Sequence, residues 1–249
     1  MAALLLAGCT HAVKMPLVPV SLPALAAPPP PSRDEAIKRL QTETPCCHAW
    51  ADLPFHDELP PQPREFTIDR FSPVAELDGE RTHFLTFTLP KFSQPYRVAF
   101  QSRPSARQLG NSYLFAPTAV LLDANYKPLS RTDVKLCEYI GWRPGMSGAF
   151  GAVAIDDPDA HYLVVTSSKA QLAAKTYWSQ SPASFTGSSL PSAVPASSGS
   201  FDLPHGPDGT LAVGVLTPRY ADAVDNGLCG KPKRGSGLLP ELKKTLLDR

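Results

Sequence analysis

The sequence has almost no net charge: 24 Lys and Arg stand against 23 Asp and Glu, which leaves +1 over 249 residues. Without a basic excess there is no electrostatic ground for a nucleic acid, an anionic membrane or a polyanionic substrate as the main partner. No apolar run approaches the roughly 20 residues that a membrane-spanning helix needs. Glycine is not abundant, at 16, which excludes a collagenous chain. Proline and glycine together stay below the roughly 25–30% of low-complexity chains, although proline alone, at 28, is about twice its usual share. Only five cysteines occur, with no second ligand pair at a zinc-site spacing. What is present is a chain 43% hydrophobic, long and apolar enough to bury a core.

The opening Met1-Ala2-Ala3-Leu4-Leu5-Leu6-Ala7-Gly8-Cys9 is a short apolar run that ends in small residues before a cysteine. It resembles the end of a bacterial lipoprotein signal peptide, after whose cleavage Cys9 would be the acylated N-terminus. Residues 1–9 are therefore read as the remnant of a lipoprotein signal. The basic segment that normally precedes the apolar run is missing, so a start codon further upstream is expected. Thr10, rather than Asp, after the cysteine would by the usual sorting rule send the protein to the periplasmic side of the outer membrane. Twelve prolines then lie between Thr10 and Pro63, with Pro28 to Pro31 contiguous. Proline-rich chain is extended and cannot enter a sheet interior, so residues 10–45 read as a tether. Ser32 and Glu35 have capping-box spacing and predict a short helix over 32–40 within it.

From Phe66 onward, short runs of β-branched and aromatic residues recur between Pro, Gly, Asp and Asn, the pattern of an all-β sandwich, here expected to be jelly-roll-like over residues 46–220. His83 to Leu89 and Tyr96 to Gln101 alternate. Phe115 to Leu122 and Tyr162 to Ser167 are almost wholly apolar, as strands buried on both faces are. Gln171 to Trp178 reads as the one short helix of the domain. The Ser/Pro-rich stretch 182–200 reads as a loop. Thr210 to Leu216 follows the turn Pro207-Asp208-Gly209 as a final strand. Residues 221–249, with Lys231, Lys233, Arg234, Lys243, Lys244 and Arg249, read as a loose basic tail with a helical turn or two after Pro240.

The block Leu114-Phe115-Ala116-Pro117-Thr118-Ala119-Val120-Leu121-Leu122-Asp123-Ala124-Asn125-Tyr126-Lys127-Pro128 resembles the central segment of the maltose-operon periplasmic protein family. The resemblance continues weakly through Tyr162 to Thr166 and Asp208 to Leu211, and spans roughly residues 46–217. It implies a secreted, non-enzymatic envelope protein associated with carbohydrate transport. It brings no catalytic or binding motif to carry over.

Four cysteines remain besides Cys9: Cys46, Cys47, Cys137 and Cys229, an even number suited to an oxidising compartment. Adjacent cysteines bridge only through a strained eight-membered ring, so a long-range bridge from Cys46 or Cys47 to Cys137 is the expected pairing. Cys46, Cys47 and His48 are soft metal ligands, but contiguous residues do not converge easily on a tetrahedral ion, and no metal or cofactor is expected. Gly145-Met146-Ser147-Gly148 approaches a nucleophile elbow but has Ala149 where that motif has glycine, and a strand rather than a helix is predicted after it. His83 and His161 each open a predicted strand as solvated or edge-capping residues. Asp156-Asp157-Pro158-Asp159 offers oxygen ligands for calcium but makes a turn equally well, and the turn is preferred. Trp142 and Tyr126 are the candidates for stacking on a sugar ring. Two function classes follow: an accessory protein of maltose- or maltodextrin-type transport that binds glycans, or a structural envelope lipoprotein that binds a protein partner and no sugar.

Overall fold

A computed structural model describes residues 32–92, 94–106, 111–141, 143–179 and 200–230. The tether before Ser32, most of the stretch 182–200 and the tail after Gly230 lie outside these residues, and so does Trp142. The protein is an all-β sandwich. Its first sheet has the order β1 (Arg64–Ile68), β14 (Gly209–Val215), β5 (Tyr96–Arg103), β10 (Ser147–Ile155) and β9 (Cys137–Ile140), every pair antiparallel. The second has β4 (Leu85–Thr88), β11 (Tyr162–Thr166), β7 (Thr118–Leu122) and β8 (Pro128–Asp133), also antiparallel. A small third sheet joins β12 (Lys175–Ser179), β13 (Ser200–Gly206) and β6 (Leu114–Phe115), and β2 (Val74–Leu77) with β3 (Glu80–His83) makes a hairpin.

Side chains alternate across each strand, so the two facing surfaces can be read from the register. Val98 and Phe100 of β5, Ala149, Val153 and Ile155 of β10, and Leu211 and Val213 of β14 meet Phe87 of β4, Ala119 and Leu121 of β7, and Leu163 and Val165 of β11. Each fully buried Phe or Leu here contributes roughly 1.5–3 kcal/mol. The intervening residues Val120, Leu122 and Val164 form a second core on the outer face, with Leu53, Ala75, Leu77 and Phe84. The chain before β1 and the β2–β3 hairpin cover that face. This explains why β7 and β11, although antiparallel, are apolar on both sides as the sequence predicts.

Helix α1 (Arg33–Thr42) starts at Ser32, which forms the expected capping box with Glu35. It is docked rather than free: the Arg33 guanidinium donates to the carbonyls of His205 (2.6 Å) and Leu172 (2.7 Å), and Ala36 and Leu40 are buried.

Several boundaries differ from the sequence reading. The strand expected over 83–89 breaks at Phe84 into β3 and β4. That over 115–122 breaks at Ala116-Pro117 into β6 and β7, where proline cannot donate to a ladder. The helix expected over 171–178 is only α2 (Lys169–Ala173), capped by the Ser168 hydroxyl, which accepts from the Gln171 N–H at 3.0 Å. After Ala174, Thr176, Tyr177 and Trp178 pair with β13 instead, and Trp178 is buried in the main core. β-Branched and aromatic residues gain more on a half-buried strand than in a helix. The basic tail does not start at 221 either, because α3 (Pro218–Asp225) crosses that boundary with proline at its first position. Its Ala223, Tyr220 and Val224 pack on Met146, Phe150 and Tyr139 on the outer face of the first sheet.

Candidate functional site

The loops β4–β5, β7–β8 and β10–β11 gather at one end of the sandwich, where irregular chain on a rigid scaffold commonly carries function. Between the first and last of them is a cleft of about 260 Å³ lined by Lys91, Phe92, Tyr96, Asp156, Asp157 and His161, among others. Phe92 is 55% exposed and stands edge-on to Tyr96, with centroids 4.8 Å apart. Burial pushes the Tyr96 phenol up to about 12, and its hydroxyl donates to the Pro90 carbonyl at 3.5 Å. An apolar ring beside carboxylate, imidazole and phenol groups is the mixture that a sugar requires, with its apolar C–H face and its hydroxyl edge.

Tyr126 lies on the adjacent surface of the same end. It ends the β7–β8 turn in a left-handed conformation (φ 62°), and Asp123 fixes the turn by accepting from the N–H groups of Asn125 and Lys127, both at 2.8 Å. The Tyr126 ring lies nearly parallel to that of Tyr162, with centroids 5.0 Å apart, and Phe55 stacks on Tyr126 at 5.5 Å. The three rings are half-buried. A hydrogen bond with Tyr126 raises the Tyr162 phenol above its ordinary value. Sequence reasoning found Tyr126 but not its companions, because Phe55 precedes the domain's first strand and Tyr162 looked like one more strand residue.

The other sugar-stacking candidate, Trp142, lies outside the described residues. Its neighbours Gly141 and Arg143 belong to the β9–β10 turn, which is at the opposite end of β10 from the Tyr126 surface. Eight residue steps along a strand span about 26 Å, so one small sugar cannot touch both places.

Asp156 to Asp159 forms the expected turn: the Asp157 carboxylate accepts from the Asp159 N–H at 2.9 Å, and the Asp157 carbonyl accepts from the Ala160 N–H at 3.2 Å. No cluster of three or more metal-ligating side chains occurs among the described residues. Ser147 opens β10, so the strand-to-helix turn of a nucleophile elbow is not formed there. His83 is not solvated: it is buried and its Nδ1 lies 3.0 Å from the carbonyl oxygen of Ser72. His161 is half-buried at the cleft.

The cysteines pair differently from the expected long-range bridge to Cys46 or Cys47. Cys46 bonds to its neighbour Cys47, and Cys137 to Cys229. The reason is placement. The Cys46 N–H donates to the Val74 carbonyl and the Cys47 carbonyl accepts from the Glu76 N–H, which sets the pair beside β2, on the outer face of the second sheet. Cys137 lies on β9, the edge of the first sheet, where the chain after α3 returns: Glu138 and Leu228 exchange both backbone hydrogen bonds, at 3.0 and 2.7 Å.

One titratable group escaped sequence reasoning altogether. Glu138 is 1% exposed and shares a sheet row with Ala149 and Ser102, facing the core. One carboxylate oxygen accepts from the Ser179 N–H, while Oε1, the Ser102 hydroxyl and the Trp178 indole N–H have no partner among the described residues. Burial raises its carboxyl to about 7. A single Glu within an apolar stretch carries no periodic signal of which way it faces.

Comparison with known proteins adds no assignment. No protein-family model, curated protein or solved structure matches the chain.

Proposed function

We propose that this chain is a non-enzymatic accessory lipoprotein of the bacterial envelope, held at the outer membrane by a lipid on Cys9, which serves maltose- or maltodextrin-type carbohydrate transport by binding glycans. The observation that carries this reading is the cleft at the loop end, where exposed Phe92 stands beside the carboxylates of Asp156 and Asp157 and the imidazole of His161. The half-buried stack of Phe55, Tyr126 and Tyr162 on the adjacent surface extends the apolar platform. The likeness of residues 114–128 to the maltose-operon periplasmic family points to the same class of ligand. The two disulfides suit an oxidising compartment.

A second reading is a structural envelope protein that binds a protein partner and no sugar. Phe71 favours it. This ring in the β1–β2 turn is 79% exposed, with the Arg70 guanidinium over its face at 4.6 Å, an aromatic–arginine pair typical of protein contacts.

The two readings separate by isothermal titration of the full chain, carrying Cys9→Ser to keep it out of membranes, against maltose, longer maltodextrins and other soluble glycans. The expected result is saturable heat that weakens roughly fivefold in Phe92→Ala or Tyr126→Ala, since an aromatic contact contributes about 1 kcal/mol. Circular dichroism checks that the variants fold. Absence of heat at about 10 mM sugar, where even the weakest useful site would register, overturns the glycan reading in favour of the protein partner.

A further inference from the structure

The end of the sandwich opposite the glycan cleft carries a groove of about 450 Å³ between the β9–β10 turn and α3, lined by Tyr139, Arg143, Met146, Pro218, Arg219 and Asp222. Its charges are not balanced. The one carboxylate, Asp222, is engaged by neutral donors: it accepts from the Tyr139 hydroxyl at 2.5 Å and from the Asn226 side-chain amide at 2.7 Å. Neither Arg143 nor Arg219 forms an ion pair among the described residues, whereas Arg81, Arg97, Arg103 and Arg131 each hold a carboxylate. Arg219 donates one hydrogen bond to the Pro144 carbonyl at 2.9 Å, which uses one of the guanidinium's five N–H groups and leaves a fork to offer.

The two walls are held at a fixed spacing. The turn closes on itself through hydrogen bonds from the Gly141 N–H to the Met146 carbonyl (3.0 Å) and from the Met146 N–H to the Arg143 carbonyl (3.1 Å). Gly145 takes the left-handed conformation that lets it close (φ 78°). Beneath it, buried Gln101 donates both amide hydrogens, to the carbonyls of Gly145 (2.8 Å) and Ser147 (3.1 Å), and accepts on its oxygen from the Tyr220 hydroxyl of α3 (3.0 Å). One core glutamine thus ties the element that carries Arg143 to the element that carries Arg219. The backbones that carry the two arginines are thereby held at a set spacing, and Arg219 is anchored to the Pro144 carbonyl, while the exposed Arg143 side chain makes no hydrogen bond among the described residues and is available to an anion.

We propose that this groove is a second, separate binding site, for an oxoanion, a carboxylate or a phosphate; that the oxoanion is carried on a sugar, as a uronic acid or a sugar phosphate, rests on the carbohydrate reading above. Planar guanidinium groups take either group through paired hydrogen bonds. The site does not depend on the aromatic cleft, and its anion requirement sets it apart from a neutral maltodextrin.

The test is titration of the full Cys9→Ser chain with glucose 6-phosphate and with galacturonate at low ionic strength, glucose serving as the neutral control. Saturable binding of either anion, with none of glucose at this groove, is expected, and which anion binds tighter identifies the source. Arg143→Ala and Arg219→Ala should each weaken it about tenfold, the effect of one charge-assisted contact, while Arg219→Lys should restore only part. Both arginines are exposed, so the variants should keep the parent's circular dichroism. A parallel titration with maltose, which carries no anion, should be the same in the parent and in the two arginine variants, so failure here and failure of the glycan reading are distinguishable. Absence of anion binding, or binding unaffected when both arginines are replaced, overturns the proposal.

Discussion

Replacing Glu138 with glutamine should make the protein more stable above neutral pH, and the size of the gain follows from where the carboxyl sits. In the unfolded chain it ionises at its ordinary value of 4.5, and in the fold burial holds it at about 7. Below 4.5 both states keep the proton and stability is indifferent to this group. Between 4.5 and 7 the folded state keeps it and the unfolded state has lost it, so stability falls by about 1.4 kcal/mol per pH unit. Above 7 both states are ionised, and the full penalty of burying a carboxylate is present, about 3 kcal/mol for this interval. Glutamine preserves the shape and can still accept from the Ser179 N–H, but it never ionises. Urea unfolding at intervals from pH 5 to pH 8.5, with the disulfides kept oxidised, should give curves for parent and variant that meet at the acid end and diverge by up to about 3 kcal/mol at the alkaline end. Burial lowers the pKa of His205, so stability falls as pH drops from the unfolded histidine value through the lower folded one; being common to both proteins, this cancels in the difference. Parallel curves, or a variant less stable than the parent at pH 8, would refute the reasoning.

Two further outcomes follow from the attachments of the chain ends. Replacing Cys137 and Cys229 by serine opens a bridge between residues 92 apart, and should cost about 4.6 kcal/mol of unfolding free energy by loop entropy. A loss below about 1 kcal/mol in urea unfolding would mean that the packing of α3 alone sets the attachment. Arg33→Ala removes two charge-assisted hydrogen bonds to backbone carbonyls and should cost about 1–3 kcal/mol at the α1 interface. Amide exchange in α1 should rise tenfold or more while β7 and β11 stay protected, and unchanged α1 protection would refute this anchoring role.

How much of this was legible follows from the kind of signal each feature leaves. Almost wholly apolar runs such as Phe115 to Leu122 and Tyr162 to Ser167 announced strands buried on both sides, because such burial needs no knowledge of what does the covering. The capping box at Ser32 and Glu35 was equally plain, since all its parts lie within one turn. Gln171 to Trp178 was not, because helix and strand compete over a few residues and the pairing with β13 decides between them. The pairing of the cysteines depends on where α3 returns the chain to the β9 edge, a contact between residues 92 apart. The candidate site shows the same division. Tyr126 could be named as an aromatic able to stack on a sugar ring, whereas Phe92, Asp156 and His161 share a cleft only because two loops distant in sequence end at one edge of the sandwich. Glu138 was silent because its direction is set by sheet register, which a single strand does not reveal.

The backbone exchange between Glu138 and Leu228 also bears on how the molecule keeps to itself. β9 ends the first sheet, and a terminal strand offers its outward N–H and C=O groups to any other chain that can lie beside it. Leu228 occupies one such pair of groups on β9, and the Cys137–Cys229 bond keeps the covering segment in place. The other sheet manages its rim at β8 by composition instead, with Pro128 at the first position and Arg131 and Asp133 along it, all exposed. A crowded compartment is where such open rims are most hazardous. The covalent clasp at the C-terminal side of the domain therefore protects against templated self-association as well as against unfolding.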